Sequence, residues 1–127
     1  MSMYGIKDIV KLSAMLKPVA VTATVTGTAI DLANVNANAI QIFPGLWTDG
    51  THTPSLTESS DNTTFAAVAA ADLIGSFAAI SSTATATVQA VSYIGSKRYI
   101  KPVITVATAT TGAIIGIGFQ GKYRKQP

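Results

Sequence analysis

His52 is the single histidine of the chain, and Asp49, Glu58 and Asp61 lie close to it in sequence. One imidazole and three carboxylates are donors that a divalent cation takes, so this is where metal chemistry is sought first. The spacing argues against it. Calcium loops set carboxylates at alternate positions ahead of a glycine, and zinc sites draw on further histidines or on cysteines, of which the chain has none. No metal and no other cofactor is expected. His52, flanked by Thr51 and Thr53 and followed by Pro54, reads as a loop residue hydrogen-bonded to backbone; Trp47 reads as a core plug or a subunit contact. A catalytic triad would rest on His52 alone, and the chain carries no Gly-x-Ser-x-Gly elbow and no P-loop. Gly116-Ile117-Gly118 opens no helix and is not a nucleotide fingerprint. The expectation is that the chain is not an enzyme.

The second concentration of chemistry is cationic. Lys97, Arg98 and Lys101 fall inside Tyr93–Val106, beside Tyr93 and Tyr99, whose rings suit a half-buried surface. The stretch reads as a strand ending at Ile94, a tight turn through Gly95-Ser96 with glycine supplying positive φ, and a returning strand from Arg98: a hairpin with a cationic tip. Period two puts Tyr99 and Lys101 on one face and Arg98 on the other. Two readings of Arg98 stand. Either it keeps the tip soluble or pairs locally with Asp31 or Asp72, or its guanidinium grips an acidic partner through two parallel hydrogen bonds. The candidate interface residues are Trp47, Asp49, His52, Tyr93, Lys97, Arg98, Tyr99 and Lys101.

These residues need strands to hold them. Val19, Val21, Ala23 and Val25 alternate with Ala20, Thr22, Thr24 and Thr26 as a half-buried strand does. Gly27-Thr28 can turn the chain and Ala29–Leu32 return it. Asn34, Asn36 and Asn38 mark a loop, Ala39–Phe43 a strand closed by Pro44-Gly45, and 47–54 a polar loop. Leu56–Glu58 reads as a short strand and Ser60-Asp61-Asn62 as a turn. Ala69–Gly75 suggests a helical turn or two. Strands are expected over 77–80 and 85–94, then a last pair, Tyr99–Thr108 and Ile114–Tyr123, hinged on Thr110-Thr111-Gly112. Pro102 removes a ladder donor, so its strand is an edge or is bulged there. Gly116, Gly118 and Gly121 weaken the last strand unless something approaches closely. This cadence predicts an all-β protein, a jelly-roll-like antiparallel β-sandwich. Residues 1–18 form either a short helix ended by Pro18 or an extended arm, and residues 19–127 a single sandwich domain.

Three segments extend a resemblance centred on Ser92–Val103. They are Thr48–Leu56 with Glu58–Asn62, Phe65–Val68 leading to Asp72–Gly75, and Thr28–Leu32. Together they resemble small virion proteins of tailed bacteriophages and gene transfer agents, over roughly residues 26 to 106. The resemblance implies a head structural protein, a capsid decoration or cement subunit made in the bacterial cytoplasm and bound to the exterior of the virion, with the major capsid protein as partner. The base of a head spike at the capsid vertices is the alternative within that class. A carbohydrate-binding jelly roll is the alternative outside it.

Composition bears on assembly. Of 127 residues 48% are hydrophobic and only 12% charged, about half the usual charged share. A surface so poor in charge favours contact between copies; the resemblance to virion proteins implies a trimer first, matching quasi-three-fold positions on an icosahedral shell, and a pentamer second. The net charge of +3 gathers partly at the C-terminus in Lys122, Arg124 and Lys125. That is too local for a nucleic-acid-binding face, and no apolar run reaches the length of a membrane helix. Neither nucleic acid nor membrane is expected as a partner.

Overall fold

A computed structural model describes residues 9–123. Ten strands run in chain order: β1 Val10–Val21, β2 Val25–Thr26, β3 Ile30–Asp31, β4 Val35–Trp47, β5 Thr51–Ser59, β6 Ala66–Ala67, β7 Leu73–Ile74, β8 Gln89–Tyr93, β9 Tyr99–Ala107 and β10 Ala113–Tyr123. The first sheet has the order β1-β10-β4-β8-β7; in the second, β9 lies between β5-β6 on one side and β2 and β3 on the other. All pairings are antiparallel. The fold is an all-β sandwich of jelly-roll type, in which the chain passes from sheet to sheet. Ile40 and Ile42 of β4, Ile100 and Ile104 of β9, and Ile115 and Phe119 of β10 fill the space between the sheets, each at most 1% exposed. Their period-two spacing is the reason these segments are strands with one dry face.

The strands are largely those expected, but their partners differ. β8 and β9 are not a hairpin. They lie in opposite sheets, and residues 94–98 carry the chain across. Gly95 is not among the residues of positive φ. Its place is set by crowding instead, since a Cβ there would stand 2.5 Å from the Tyr93 hydroxyl. Likewise β9 and β10 are in different sheets, and Gly27-Thr28 does not reverse the chain. β2 and β3 both pair with β9, and the four steps from Thr26 to Ile30 face the three from Val103 to Ile100, which makes a one-residue bulge. Pro102 sits opposite it, so β9 is central and tolerates proline because its neighbour is bulged.

Other expectations change in the same way. Residues 10–18 are strand, not helix, and β1 runs through the boundary placed at residue 18; residues 1–8 lie outside the described residues. The polar stretch 51–54 belongs to β5, and Asn36 and Asn38 to β4. Between Ala69 and Gly75 there is one 3-10 turn, Ala70–Asp72, followed by β7. Of 77–80, only Ile80 pairs, by a bridge to His52.

At the far end Asp49 closes the 108–112 turn. Its Oδ1 accepts hydrogen bonds from the N–H groups of Thr110, Thr111 and Gly112 at 3.0, 3.1 and 2.7 Å. Gly112 has φ +79°, and a Cβ there would collide with the carbonyl of Val21. Gly112→Ala is therefore expected to lower stability by about 1–3 kcal/mol, through left-handed strain and that collision. A urea melt indistinguishable from wild type contradicts the placement of this turn.

Candidate interaction site at one end of the sandwich

The eight candidate residues do not converge. Trp47, Asp49 and His52 lie at the end where β4 finishes and β5 starts, whereas Tyr93, Lys97, Arg98 and Tyr99 lie at the opposite end and Lys101 follows on β9.

At the first end the residues serve the fold. Trp47 donates its indole N–H to the Gly50 carbonyl at 3.0 Å. His52 is not on a loop but on β5, with 0% of its surface exposed. Its Nε2 lies 2.8 Å from the Val21 carbonyl oxygen, which can only accept, so Nε2 carries the hydrogen. Nδ1 has no hydrogen-bond partner among the described residues. No cluster of three His, Cys, Asp or Glu side chains able to hold a metal occurs among the described residues. Three backbone N–H groups of the turn, Gly112 first, hold the Asp49 carboxyl below its ordinary range.

The opposite end is built around Tyr93. The side chain belongs to the first sheet, is 3% exposed, and reaches across the core to donate to Glu58 Oε1 of β5 at 2.6 Å. Its oxygen accepts the N–H of Lys97 at 3.0 Å, folding the 94–98 crossing back onto the ring. Burial first, then the bond to Glu58, pushes the phenol up to about 12. Asn38 extends the β4–β8 ladder with its side chain, donating to the Tyr93 carbonyl and accepting the Tyr93 N–H, both at 2.9 Å. Sequence reading took Asn38 for a loop amide and weighed Glu58 only as a metal donor, not as the partner of Tyr93. The one available signal was that Asn36 and Asn38 are two apart, which puts them on one side if the chain there is extended, whereas Asn34 is in the turn before β4.

Arg98 takes the local option. Its Nε and Nη2 donate to Oδ1 and Oδ2 of Asp31, both at 2.8 Å, and its guanidinium carbon is 5.2 Å from the centre of the Tyr99 ring. That fork, followed by the Ala33 N–H, holds the Asp31 carboxyl at about 2 against the opposing effect of burial. Lys101 stands over the Phe65 ring at 3.9 Å on the outer side of the second sheet. Among the described residues no carboxylate pairs with Lys97.

Between the 32–38 and 94–98 segments lies an open depression of about 790 Å³. Asn36, Ser92, Ser96 and Lys97 line it together with the exposed Ile74 and Ile94. The described lining contains two cationic side chains and no carboxylate. Of the two, Arg98 is already forked onto Asp31, so Lys97 supplies the unpaired charge among the described lining.

Comparison with protein-family models, with curated proteins and with solved structures finds no match in any of the three.

Two outcomes follow from the geometry. Tyr93→Phe leaves Glu58 and the Lys97 N–H without the phenol and is expected to cost about 1–3 kcal/mol. The stability held by the neutral phenol is complete below pH 10 and lost as pH rises towards 12, so the variant should also lose this alkaline limb in melting curves. In acid the sign reverses. Asp31, and Asp61 held at about 2 chiefly by the N–H groups of Thr64 and Thr63, contribute stability above their ordinary 3.8 that disappears as pH falls to about 2. Asp31→Asn should flatten part of that acid limb. An unchanged limb would mean that the Arg98 fork is absent in solution.

Proposed function

We propose that this chain is a head structural protein of a tailed-phage-type particle, a decoration or cement subunit that binds the outer surface of the assembled capsid shell as a symmetric oligomer. The observation that carries the reading is that segments bearing the resemblance meet at one end of the jelly roll. Arg98 forks onto Asp31, and the Leu32 N–H donates to the Arg98 carbonyl at 2.7 Å. Tyr93 bonds Glu58, and the Ile94 N–H donates to the Asp72 carbonyl at 2.8 Å. Four stretches far apart in sequence thus meet at one end, and residues of three of them, among them Leu32, Ile74 and Lys97, line the depression.

In this reading the depression receives an acidic loop of the major capsid protein. Lys97 supplies the charge, the amide and hydroxyl groups supply hydrogen bonds, and Ile74 and Ile94 supply apolar area. The role is passive: each copy makes one modest contact, and an oligomer that makes several exceeds any single affinity by roughly 10²–10⁴. The carbohydrate-binding alternative is the weaker one here, because the depression's aromatic residue, Tyr93, has its ring in the core and offers no stacking platform.

The test uses particles made from a genome that carries this coding sequence. The chain should co-purify with the heads at a copy number comparable to that of the major capsid protein; a copy number matching the vertices alone would indicate the spike-base alternative. Purified protein should rebind heads that lack it and raise their resistance to heat. Lys97→Glu should weaken rebinding about tenfold or more, as a reversed charge does at a complementary contact. Absence of the chain from purified particles removes the proposal.

A further inference from the structure

Long strands with one face in the core must present the other somewhere, and in the first sheet the middle of that outer face carries no charged side chain among the described residues, with Lys17 and Lys122 at its margins. Period two from the buried Ile115, Ile117 and Phe119 puts Ile114, Gly116, Gly118 and Gln120 of β10 outward. The register sets Ala14 beside Gly118 and Gln41 on its other side, and Phe43 beside Gly116. Leu12, Phe43 and Ile114 are 66, 47 and 42% exposed, and Ile74 of β7 continues the face at 61%. Lys17 lies on the bulged edge strand β1, and Lys122 closes the outward row of β10 at its end.

The face also has relief. Glycine at 116 and 118 leaves the central strand without side chains, and a furrow of about 490 Å³ runs over it. Leu12 and Pro18 bank it on one side and Phe43 on the other. Pro18 leans over Gly116, where a Cβ would stand 3.0 Å from its Cγ, and the Phe43 ring edge is 3.4 Å from the corresponding point at Gly118. One face therefore carries both an unfilled furrow and an exposed ring beside it.

We propose that this outer face of β1-β10-β4-β8 is the contact between two copies of the chain, packed sheet on sheet about a two-fold axis with Phe43 of each copy seated over the Gly116–Gly118 furrow of the other. Self-complementarity is what a two-fold contact requires, since the same patch must serve both partners. The area approaches what is needed. Four strands about 4.8 Å apart and the six steps from Ile114 to Gln120 at about 3.3 Å give roughly 19 by 20 Å, or about 380 Å² a side before relief is counted. The furrow and the projecting Leu12, Phe43 and Ile114 add to that flat figure, which brings two sides towards the roughly 1,000 Å² of a specific contact. The chemistry matches as well: an uncharged aromatic and aliphatic centre, with polar groups such as Gln41 and Ser92 beside it. The inference rests on the assembly part of the reading above and not on shell binding, and it sets a two-fold order in place of the three-fold one that the virion resemblance implies.

The experiment is the solution mass of the full chain by light scattering and sedimentation at tens of micromolar. Twice 13.1 kDa is expected. Phe43→Lys should give single copies with an unchanged far-ultraviolet spectrum, while Lys97→Glu should stay paired. Because the chain has no cysteine, Gln41→Cys adds a unique thiol, and a flexible bismaleimide longer than the roughly 10 Å between packed sheets should link two copies through it when the furrows face each other. A wild-type mass of one copy, a three-copy mass untouched by Phe43→Lys, or a Gln41→Cys variant that pairs but does not cross-link would each overturn the proposal. Failure to bind heads, with the paired mass intact, would touch only the shell reading.

Discussion

The hydroxyl of Tyr93, held between the Glu58 carboxylate and the Lys97 N–H, is the contact on which one end of this molecule depends. A phenol buried to 3% exposure must find partners, because an unpaired polar group in a dry core costs more than a made bond returns. Here the partners come from two directions. Glu58 belongs to the opposite sheet, and Lys97 to the segment that is leaving for that sheet. The bond therefore fixes the spacing of the sheets and the path of the crossing together. Gly95 is the corollary: the chain passes so close over the ring that no side chain fits.

β5 repeats the device at its other end. His52 and Glu58 both lie in its inward row, six positions apart, and each is bonded to the first sheet, His52 through the Val21 carbonyl and Glu58 through Tyr93. Between them Pro54 and Leu56 are buried and apolar. Two polar ties thus bracket a stretch of hydrocarbon packing. Packing alone would tolerate small slips between sheets, whereas directional bonds at both ends hold the register of β5 against β1 and β8. The Arg98–Asp31 fork is different in kind. It is exposed on both sides, so its Coulomb attraction is screened; its use is to hold the β3 end of the chain against the start of β9 beside the depression.

What could be read in advance follows the range of the physics. Strand existence was legible because alternation of Ile, Val and Thr is a local consequence of a half-buried chain, and β9 and β10 fall nearly where expected. Partnership was not. A turn signal such as Gly95-Ser96 or Gly27-Thr28 marks a change of direction without saying whether the next strand joins the same sheet, and in a jelly roll it mostly does not. The Arg98–Asp31 pair was one of two local options because few carboxylates exist to choose from. Burial of His52 was hidden by its polar neighbours. Thr51 and Thr53 look like a loop, yet on a strand they are the residues beside the inward position.

The glycines of β10 bring the fold and the surfaces together. In an isolated strand they would be a weakness. Here β10 is central, paired with β1 on one side and β4 on the other, so the ladder carries the strand and side chains from both neighbours lean over the gaps. Pro18 covers Gly116 and the Phe43 ring borders Gly118, which is why bulky residues stand where a flat sheet would have no use for them. A central strand that lacks outward side chains at two successive outward positions, 116 and 118, flanked by neighbours that keep theirs, is a furrow by construction. At Ile74 and Ser92 the neutral face meets the cationic depression. The two surfaces differ in what would weaken them. Salt screens the charge at Lys97 and leaves the apolar face intact, so the two contacts proposed above, between copies and with an acidic partner, would respond differently to ionic strength.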